Sequence, residues 1–336
     1  MSVRLIETPT TTARRLSGFK PTGRLQLGNY LGAIRPMVNA QRTTDSVVMI
    51  ADLCALTVEH NPARLRELTA EVLATLLATG VDPTATLCYL QSDVPEHAEL
   101  HYLLECTSGY GEAARMIQFK EKAATQKHVR LSLLTYPVLM SADILLHDAD
   151  EVPVGDDQTQ HLELARDVAN RFNTRYGRTF VVPRAVNPHI AARVMDLADP
   201  TAKMGKSTVS EAGVIHLLDA PDAVRRKVAR AVTDARSDVA YDPDRRPGIA
   251  NLLEILAACQ ADHPDIAALR FDTYAELKEA VAQAIVDTLG PIQDRYSEFV
   301  ADPTYLDQVR RGGAERARDR AAQTVRRAKR AIGLMP

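Results

Sequence analysis

Two lysines stand three residues apart in a short polar segment, Lys203-Met204-Gly205-Lys206-Ser207. Ammonium groups this close repel each other unless an anion binds, and lysines can neutralise charge that builds on phosphoryl oxygens during displacement at phosphorus. A solvated turn is the competing interpretation, because a KxxK pair is common by chance. The position of the segment favours phosphate binding, since it leads from a predicted α/β region into a predicted helical one.

A second candidate is the glycine-rich stretch SGFKPTGRLQLGNYLG, residues 17–32. It predicts a strand that turns through Pro21 and Gly23 and enters a helix at Gly28. Such a turn brings backbone N–H groups and the positive end of a helix close to an anionic or adenine-bearing ligand. The turn alone is weak evidence, because any α/β protein can use it structurally.

A carboxylate, Asp143, stands inside an apolar helical pattern beside Met140, Ile144 and Leu145. A buried carboxylate needs a partner, so Asp143 either belongs to a structural hydrogen-bond network or accepts a ligand's N–H or ammonium group.

The segment Gly155-Asp156-Asp157-Gln158 follows, and it places acceptors at the start of a predicted helix. Asp157 could serve there as an N-cap, as a ligand contact, or as both.

The elements that position these residues alternate between strand and helix. Strands are predicted at 15–19, 46–53 and 86–91, and helices at 28–42, 62–79, 97–107, 112–124, 132–146 and 159–173. This alternation predicts a parallel sheet with helices on its faces and a ligand at the carboxyl ends of the strands, after Phe19, Leu53 and Gln91. From residue 220 onward the pattern is largely helical.

The composition excludes several other classes. No apolar run among the 336 residues approaches the roughly 20 needed to span a bilayer, and the start of the chain lacks a signal-peptide pattern, so we expect a cytoplasmic protein. The four cysteines are scattered without a CxxC pair, and no metal site is expected. The net charge of −2 places any nucleic-acid contact on a local basic patch. One such patch lies on a predicted helix at 309–332, which is either a packed helix with a solvated basic face or a surface for RNA phosphates.

Four segments occur in the order and spacing found in bacterial tryptophanyl-tRNA synthetases, which are class I aminoacyl-tRNA synthetases. They are SGFKPTGRLQLGNYLGA, LLTYPVLMSADILL, VPVGDDQTQHLELARDVANRFN and DPTAKMGKS. The chain resembles that family from about Leu16 to its end. The resemblance implies a flexible arm at 1–14, a Rossmann-like catalytic domain at 15–217 with a dimer interface within about 95–190, a helical anticodon-binding domain at 218–300, and a C-terminal basic helix at 301–336 that packs back on the catalytic domain. It also implies a homodimer.

The resemblance assigns roles residue by residue. It implies phosphate chemistry for Lys203, Lys206 and Lys122. It implies ATP contacts for Lys20, Pro21, Thr22, Gly28, Asn29, Gly155, Asp156, Asp157, Gln158, Val194, Met204, Gly205 and Ser207, as well as for Lys203 and Lys206. It implies a tryptophan pocket of Asp143, Met140, Ile144, Tyr136, Gly18, Cys54, Val152 and Val154. The implied substrates are ATP carrying Mg²⁺, L-tryptophan and tRNA(Trp), and no membrane is involved.

The chemistry of the indole ring agrees with this pocket, because an indole offers one donor and a large apolar body. Two alternatives stay open. A tyrosyl-tRNA synthetase shares the fold and the chemistry, and a non-catalytic paralogue could bind tRNA or tryptophan as a regulator.

Three positions depart from the family pattern. Gly205 replaces a usual serine, Lys20 a usual glutamine and Cys54 a usual histidine. Neutral drift is one interpretation. The other is an auxiliary enzyme whose pocket still takes tryptophan but discriminates against indole-like inhibitors.

Overall fold

The computed structural model describes residues 12–126, 128–155, 158–186, 194–205, 211–236 and 238–335. Its five strands are β1 (Arg14–Phe19), β2 (Asp45–Ile50), β3 (Thr86–Leu90), β4 (Glu151–Pro153) and β5 (Arg184–Val186). They form one sheet in the order β3-β2-β1-β4-β5, and every paired strand is parallel to its neighbour. This arrangement confirms the predicted α/β class with a parallel sheet.

The helices occupy the connections and the C-terminal third of the chain. They are α1 (Leu27–Asn29), α2 (Arg35–Ala40), α3 (Asp52–Ala55), α4 (Pro62–Ala78), α5 (Glu96–Glu105), α6 (Tyr110–Ala114), α7 (Ile117–Thr125), α8 (Leu131–Leu146), α9 (Thr159–Tyr176), α10 (Pro221–Ala229), α11 (Pro247–Gln260), α12 (Pro264–Ala268), α13 (Tyr274–Ala301) and α14 (Pro303–Ala331). Within the described ranges, none of them combines the length and hydropathy required to cross a bilayer.

Both faces of the sheet are covered. In β2, Val47 and Met49 pack against α5, α8, α9 and α14, whereas Val48 and Ile50 pack in a second cluster with α4 and α10–α13. Successive side chains of a strand point to opposite faces, so a continuous apolar run is what a sheet buried on both sides requires. The second cluster joins the sheet to the helical C-terminal region through a shared apolar core.

Three predicted elements differ in detail from the observed ones. The second strand ends at Ile50 instead of Leu53, because Asp52 opens α3 and its Oδ1 accepts the backbone N–H of Leu53 at 3.1 Å. The helix predicted at 112–124 is two helices, since the side chain of Gln160 accepts the backbone N–H of Ile117 at 2.8 Å and starts α7.

The helix predicted at 28–42 is α1, a π-helical segment at Tyr30–Ile34 and then α2. Pro36 lacks an amide hydrogen, so it cannot continue an α-helical ladder at the start of α2.

The basic helix α14 lies against β3, α5 and α8. Several of its cationic side chains form ion pairs with carboxylates of the sheet region: Arg310 with Asp93 (2.6 Å), Arg320 with Asp45 (3.1 Å), Arg327 with Asp148 (2.6 Å) and Lys329 with Glu99 (2.8 Å). These contacts account for much of the basic face through packing within the chain.

Candidate functional site

The carboxyl ends of β1 and β4 mark the point at which the strand order reverses, because the chain runs outward through β2 and β3 before it returns to β4. Ligands of open parallel sheets bind at such a point. A cavity of about 1080 Å³ opens at the end of β1. Several residues predicted to bind substrate line it: Gly18, Lys20, Thr22, Asn29, Lys203, Met204 and Gly205.

The wall of this cavity carries more cations than anions. Its basic residues are Lys20, Arg24, Arg64, Lys203 and Lys227, and its carboxylates are Glu211 and Asp219. One of these carboxylates is already neutralised, since Lys227 Nζ lies 2.7 Å from Asp219 Oδ2. A cationic surplus of this kind suits a polyphosphate.

The start of α1 and the 203–205 loop touch directly through Gln26. Its side-chain Nε2 donates to the carbonyl of Met204 at 2.9 Å, and its Oε1 accepts the backbone N–H of Gly28 at 2.6 Å. Gly205 has a φ of 79°, and a Cβ built there would lie 3.4 Å from Gln26 Cγ. The two motifs predicted to bind nucleotide therefore form one continuous surface.

Neighbouring backbone groups complete this surface. The Oδ1 atom of Asn29 accepts the backbone N–H of Gln26 at 3.1 Å, and the carbonyl of Val194 accepts that of Met204 at 3.2 Å. Pro21 is buried beside the cavity. Val194 is buried and lies next to Gly28, 3.3 Å from the position of a Cβ there, so a larger residue at this position would crowd Val194.

Part of the predicted nucleotide site cannot be placed, because Asp156, Asp157, Lys206 and Ser207 lie outside the described residues. Gly155 and Gln158 flank the first two and are joined by a 2.9 Å backbone hydrogen bond just before α9. Among the described residues, no group of three or more His, Cys, Asp or Glu side chains is arranged to hold a metal ion.

Lys122 on α7 lies beside Tyr136 on α8. Its Nζ is 5.3 Å from the centre of the Tyr136 ring and donates to Gln118 Oε1 at 3.1 Å. The Tyr136 hydroxyl also donates to Gln118, and it lies 3.0 Å from His161 Nε2. Burial raises the pKa of Tyr136, so its hydroxyl stays protonated and Lys122 interacts with a neutral ring.

Asp143 is buried, and its carboxylate is already engaged on one side. Gln91 Nε2 donates to Oδ1 at 2.7 Å and to Oδ2 at 2.9 Å, while His97 Nδ1 lies 2.6 Å from Oδ1. Ile144, Val152 and Val154, predicted to wall the same pocket, are buried as well, whereas Met140 is half-buried and Gly18 is exposed.

The two departures Lys20 and Cys54 are linked to each other and to Asp143. Lys20 Nζ donates to Thr57 Oγ1 at 3.2 Å, and this hydroxyl donates to the carbonyl of Cys54 at 2.9 Å. The pKa of the Cys54 thiol is raised to about 12, first by burial and then by the Asp143 carboxylate. The pKa of Lys20 is lowered, first by its withdrawal from water. Cys54 is therefore a neutral thiol at physiological pH.

Sequence reasoning missed the residues that surround Asp143: Gln91, His97, Tyr89 and His147. Gln91 could have been found, because it follows β3 directly at the ligand-binding edge of the sheet. His97 lies on α5, and no local pattern in the sequence distinguishes it from a core residue.

A parallel sheet with this strand order and a basic cavity at its reversal point are typical of a nucleotide-binding α/β protein. Residues 8–290 match the family model described as tRNA synthetases class I (W and Y). The chain belongs to this family.

Individual relatives narrow the resemblance. The chain is 56% identical over 328 residues to a protein of Streptomyces coelicolor named tryptophan–tRNA ligase 1, covering 96% of this chain and 98% of that protein. The tryptophanyl-tRNA synthetase of Mycoplasma pneumoniae superposes with a TM-score of 0.91 at 35% identity, covering 97% of this chain and 99% of the other. The tryptophanyl-tRNA synthetase of Campylobacter jejuni, solved with ADP and tryptophan, superposes with a TM-score of 0.83 at 30% identity. The match covers 95% of this chain and 99% of the other.

Proposed function

We propose that this chain is a tryptophan–tRNA ligase. It activates L-tryptophan with Mg-ATP to tryptophanyl-adenylate and pyrophosphate, and it then transfers tryptophan to the 2′-OH of the terminal adenosine of tRNA(Trp). The observation that carries the proposal is the basic cavity at the point where the strand order of the sheet reverses, together with the Asp143 carboxylate buried within the apolar helix α8. Relatives named tryptophan–tRNA ligase over nearly the whole chain support the same substrate.

In the first step the tryptophan carboxylate attacks the α-phosphorus of ATP and pyrophosphate leaves. Lys203 lines the cavity, and Lys206 follows three residues later in the sequence and supplies a second ammonium. With Lys122, these groups stabilise the charge on the phosphoryl oxygens as pyrophosphate departs. Mg²⁺ arrives bound to ATP as part of the substrate, and no side chain is assigned as a general base.

The remaining nucleotide contacts are backbone and short polar groups. Gly28 and Val194 approach each other closely enough to form a wall for adenine, and Asn29 lies at the same helix start. Pro21 and Thr22 shape the turn beneath the phosphates, and Met204 and Gly205 line the same cavity as Thr22. Ser207 is assigned to the same nucleotide. Gly155, Asp156, Asp157 and Gln158 are assigned to the ribose.

Tryptophan occupies the apolar space beside Asp143, which accepts the indole N–H. Ile144, Val152 and Val154 supply the buried wall. Met140, Tyr136, Gly18 and Cys54 complete the pocket. A phenylalanine side chain has no donor, so it would leave a buried acceptor unpaired at a cost of roughly 1–3 kcal/mol.

The ligase acts as a homodimer in the cytoplasm, with the helical region at 218–300 reading the tRNA anticodon. Large apolar side chains are exposed within the stretch expected to form the dimer interface: Tyr102, Tyr110, Ile117, Val129 and Leu131. An exposed apolar patch of this kind is typical of a surface covered by a partner.

The test is amino-acid-dependent ATP–pyrophosphate exchange, run with each standard amino acid and followed by tRNA charging. Exchange with tryptophan alone is expected. Exchange with tyrosine alone would assign the chain to the other branch of the family, and no exchange with any amino acid would leave a non-catalytic tRNA- or tryptophan-binding protein.

The link from Lys20 through Thr57 to Cys54 favours the auxiliary form of this enzyme, in which the pocket is altered against indole-like inhibitors. An inhibitor that uses a hydrogen bond from the usual histidine finds a neutral thiol instead, with an ammonium near it. The Lys20→Gln, Cys54→His double variant should therefore bind indole-containing inhibitors more tightly, by about tenfold, while its tryptophan KM stays nearly unchanged. Unchanged inhibition constants in that variant would refute this part of the proposal.

A further inference from the structure

A chain of four buried polar side chains extends from Asp143 into the core. His97 Nδ1 lies 2.6 Å from Asp143 Oδ1, His97 Nε2 lies 2.9 Å from the Tyr89 hydroxyl, and that hydroxyl lies 2.7 Å from His147 Nε2. All four residues are at least 98% buried. Buried polar groups at this depth are costly unless they satisfy one another, so the chain is a fixed unit and not a set of independent contacts.

The carboxylate fixes the position of every proton along this chain. A carboxylate only accepts, so His97 must donate from Nδ1, and neutral His97 then accepts at Nε2 from the Tyr89 hydroxyl. The Tyr89 oxygen in turn accepts from His147 Nε2–H. Nδ1 of His147 is left as a bare lone pair, and this atom has no hydrogen-bond partner among the described residues.

The reverse arrangement is less favourable. If His97 were an imidazolium, it would donate to Tyr89, Tyr89 would donate to His147 Nε2, and a buried N–H would remain at His147 Nδ1 with no acceptor. Orphaned buried N–H groups are rarer than orphaned acceptors. Burial holds the pKa of His147 well below its usual value, and burial together with the Asp143 carboxylate raises that of Tyr89. Neither Tyr89 nor His147 therefore ionises near neutral pH.

The acceptor capacity of Asp143 is almost filled by these partners. A carboxylate offers about four lone-pair positions, two on each oxygen. Oδ1 receives Gln91 and His97, and Oδ2 receives Gln91 alone among the described residues. Both Gln91 contacts come from the same Nε2 atom, so Oδ2 is the less engaged of the two oxygens and can accept a single indole N–H.

We propose that His97 is a positioning residue for tryptophan specificity. Its Nδ1–H holds Oδ1 of Asp143 and reserves Oδ2 for the indole donor, while Tyr89 and His147 hold the imidazole ring in the orientation that this contact requires. This inference rests on the proposed role of Asp143 as the indole acceptor and extends it to residues that do not touch the substrate.

The test compares tryptophan with its benzothienyl analogue, in which sulfur replaces the indole N–H, by kcat/KM in ATP–pyrophosphate exchange. His97→Leu should reduce the preference for tryptophan over the analogue on the order of tenfold, because an unanchored carboxylate no longer meets the N–H in a fixed geometry. The KM for ATP should not change. His97→Asn, whose amide can donate from nearly the position of Nδ1, should retain the preference within about threefold.

Tyr89→Phe tests the outer part of the chain without emptying the core, because it removes only a hydroxyl. The preference should fall by about threefold to tenfold, since the imidazole loses the hydrogen bond at Nε2 that fixes its ring orientation toward Asp143. Tyr89→Phe also tests the proposal if His97→Leu does not fold. Tyr241→Phe is the matched control: it breaks a 2.8 Å hydrogen bond to Glu254 in the helical region and should leave the preference unchanged.

Asp143→Ala distinguishes the proposed role of Asp143 as the indole acceptor from the proposed positioning role of His97. If it abolishes the preference while His97→Leu and Tyr89→Phe keep it, Asp143 is the indole acceptor and the positioning role is wrong. If Asp143→Ala itself keeps the preference, the assignment of Asp143 fails and the inference about His97 fails with it. A loss in which both substrates decline equally in the His97 and Tyr89 variants would indicate a general loosening of the pocket, and it would also overturn the inference.

Discussion

A single amide, Gln26, joins the two motifs that we propose to bind nucleotide, which are far apart in the sequence. It holds the carbonyl of Met204 and the backbone N–H of Gly28 at the same time. Gln26→Ala should lower kcat for exchange about tenfold with little effect on the tryptophan KM, because the loop that carries Lys203 loses its anchor while the Asp143 pocket is untouched.

Gln41 offers a matched control for that variant. Its amide also bridges two backbone groups, the carbonyl of Gly80 at 3.0 Å and the N–H of Asp82 at 2.9 Å, but away from the cavity. Gln41→Ala should lower stability without lowering kcat. A rise in tryptophan KM with normal kcat in Gln26→Ala would contradict the anchoring role.

For individual residues, the sequence predicts that Asp143 is a buried hydrogen-bond acceptor, but it does not predict all the side chains that contact it. Asp143 is identifiable because a carboxylate inside an apolar helix is costly unless it is paired. His97 and Gln91 are brought to it by tertiary packing, and only Gln91 carries a signal of that contact, because it directly follows β3 at the ligand-binding edge of the sheet. Gly205 shows the converse, since its φ of 79° explains why a glycine stands in a loop where serine is usual.

In helix α14, two adjacent glycines differ in the space that surrounds them. A Cβ on Gly313 would lie 1.8 Å from the carbonyl oxygen of Cys88 in β3, whereas a Cβ on Gly312 would meet nothing within 4 Å. Gly313→Ala should therefore destabilise the protein by about 1–3 kcal/mol, because the helix must move away from the strand. Gly312→Ala should stabilise it by up to about 1 kcal/mol through helix propensity.

Urea unfolding of the two variants measures this difference, and each serves as the control for the other. Changes of equal sign would show that α14 does not pack against β3 as closely as the structure has it. The dipeptide Gly312-Gly313 gives no hint of the asymmetry in the sequence. The helical spacing of alanines around it predicts α14 itself, since Ala314, Ala317 and Ala321 form its buried face.

For the whole molecule, we expect stability to fall at low pH because ion pairs that join separate elements are lost. Asp234 connects the segment before α11 to α13: it accepts Arg246 Nε at 2.7 Å and the Tyr274 hydroxyl. The hydrogen bond from Arg246 is the largest cause of its lowered pKa. A carboxyl whose pKa is lower in the folded state stabilises the protein above its unfolded pKa, near 3.9, and loses that contribution as the pH falls.

The wild type should therefore lose stability between about pH 5 and pH 3 more steeply than Asp234→Asn. At pH 7 the variant should be less stable by roughly 1.5–3 kcal/mol, the range for a hydrogen bond to a charged group. Urea midpoints measured at several pH values check both statements, with Asp294→Asn, at an exposed carboxylate of α13, as the control. Parallel pH profiles for wild type and Asp234→Asn would show that the Asp234–Arg246 pair does not contribute to the loss of stability at low pH.

The exposed apolar side chains between residues 102 and 131 lead to the last prediction, which concerns assembly. Tyr110 and Leu131 are 76% and 75% exposed, too apolar a surface to remain in water on a lone chain, so we expect sedimentation or light scattering to give twice the chain mass. Replacing Ile117 and Leu131 together by aspartate should give the single-chain mass, because charges buried at a twofold interface face their own copies. Leu269→Asp, at an equally exposed leucine in the helical region, should leave the mass unchanged. A wild-type protein of single-chain mass at micromolar concentration would refute the interface, and these side chains would then require another partner.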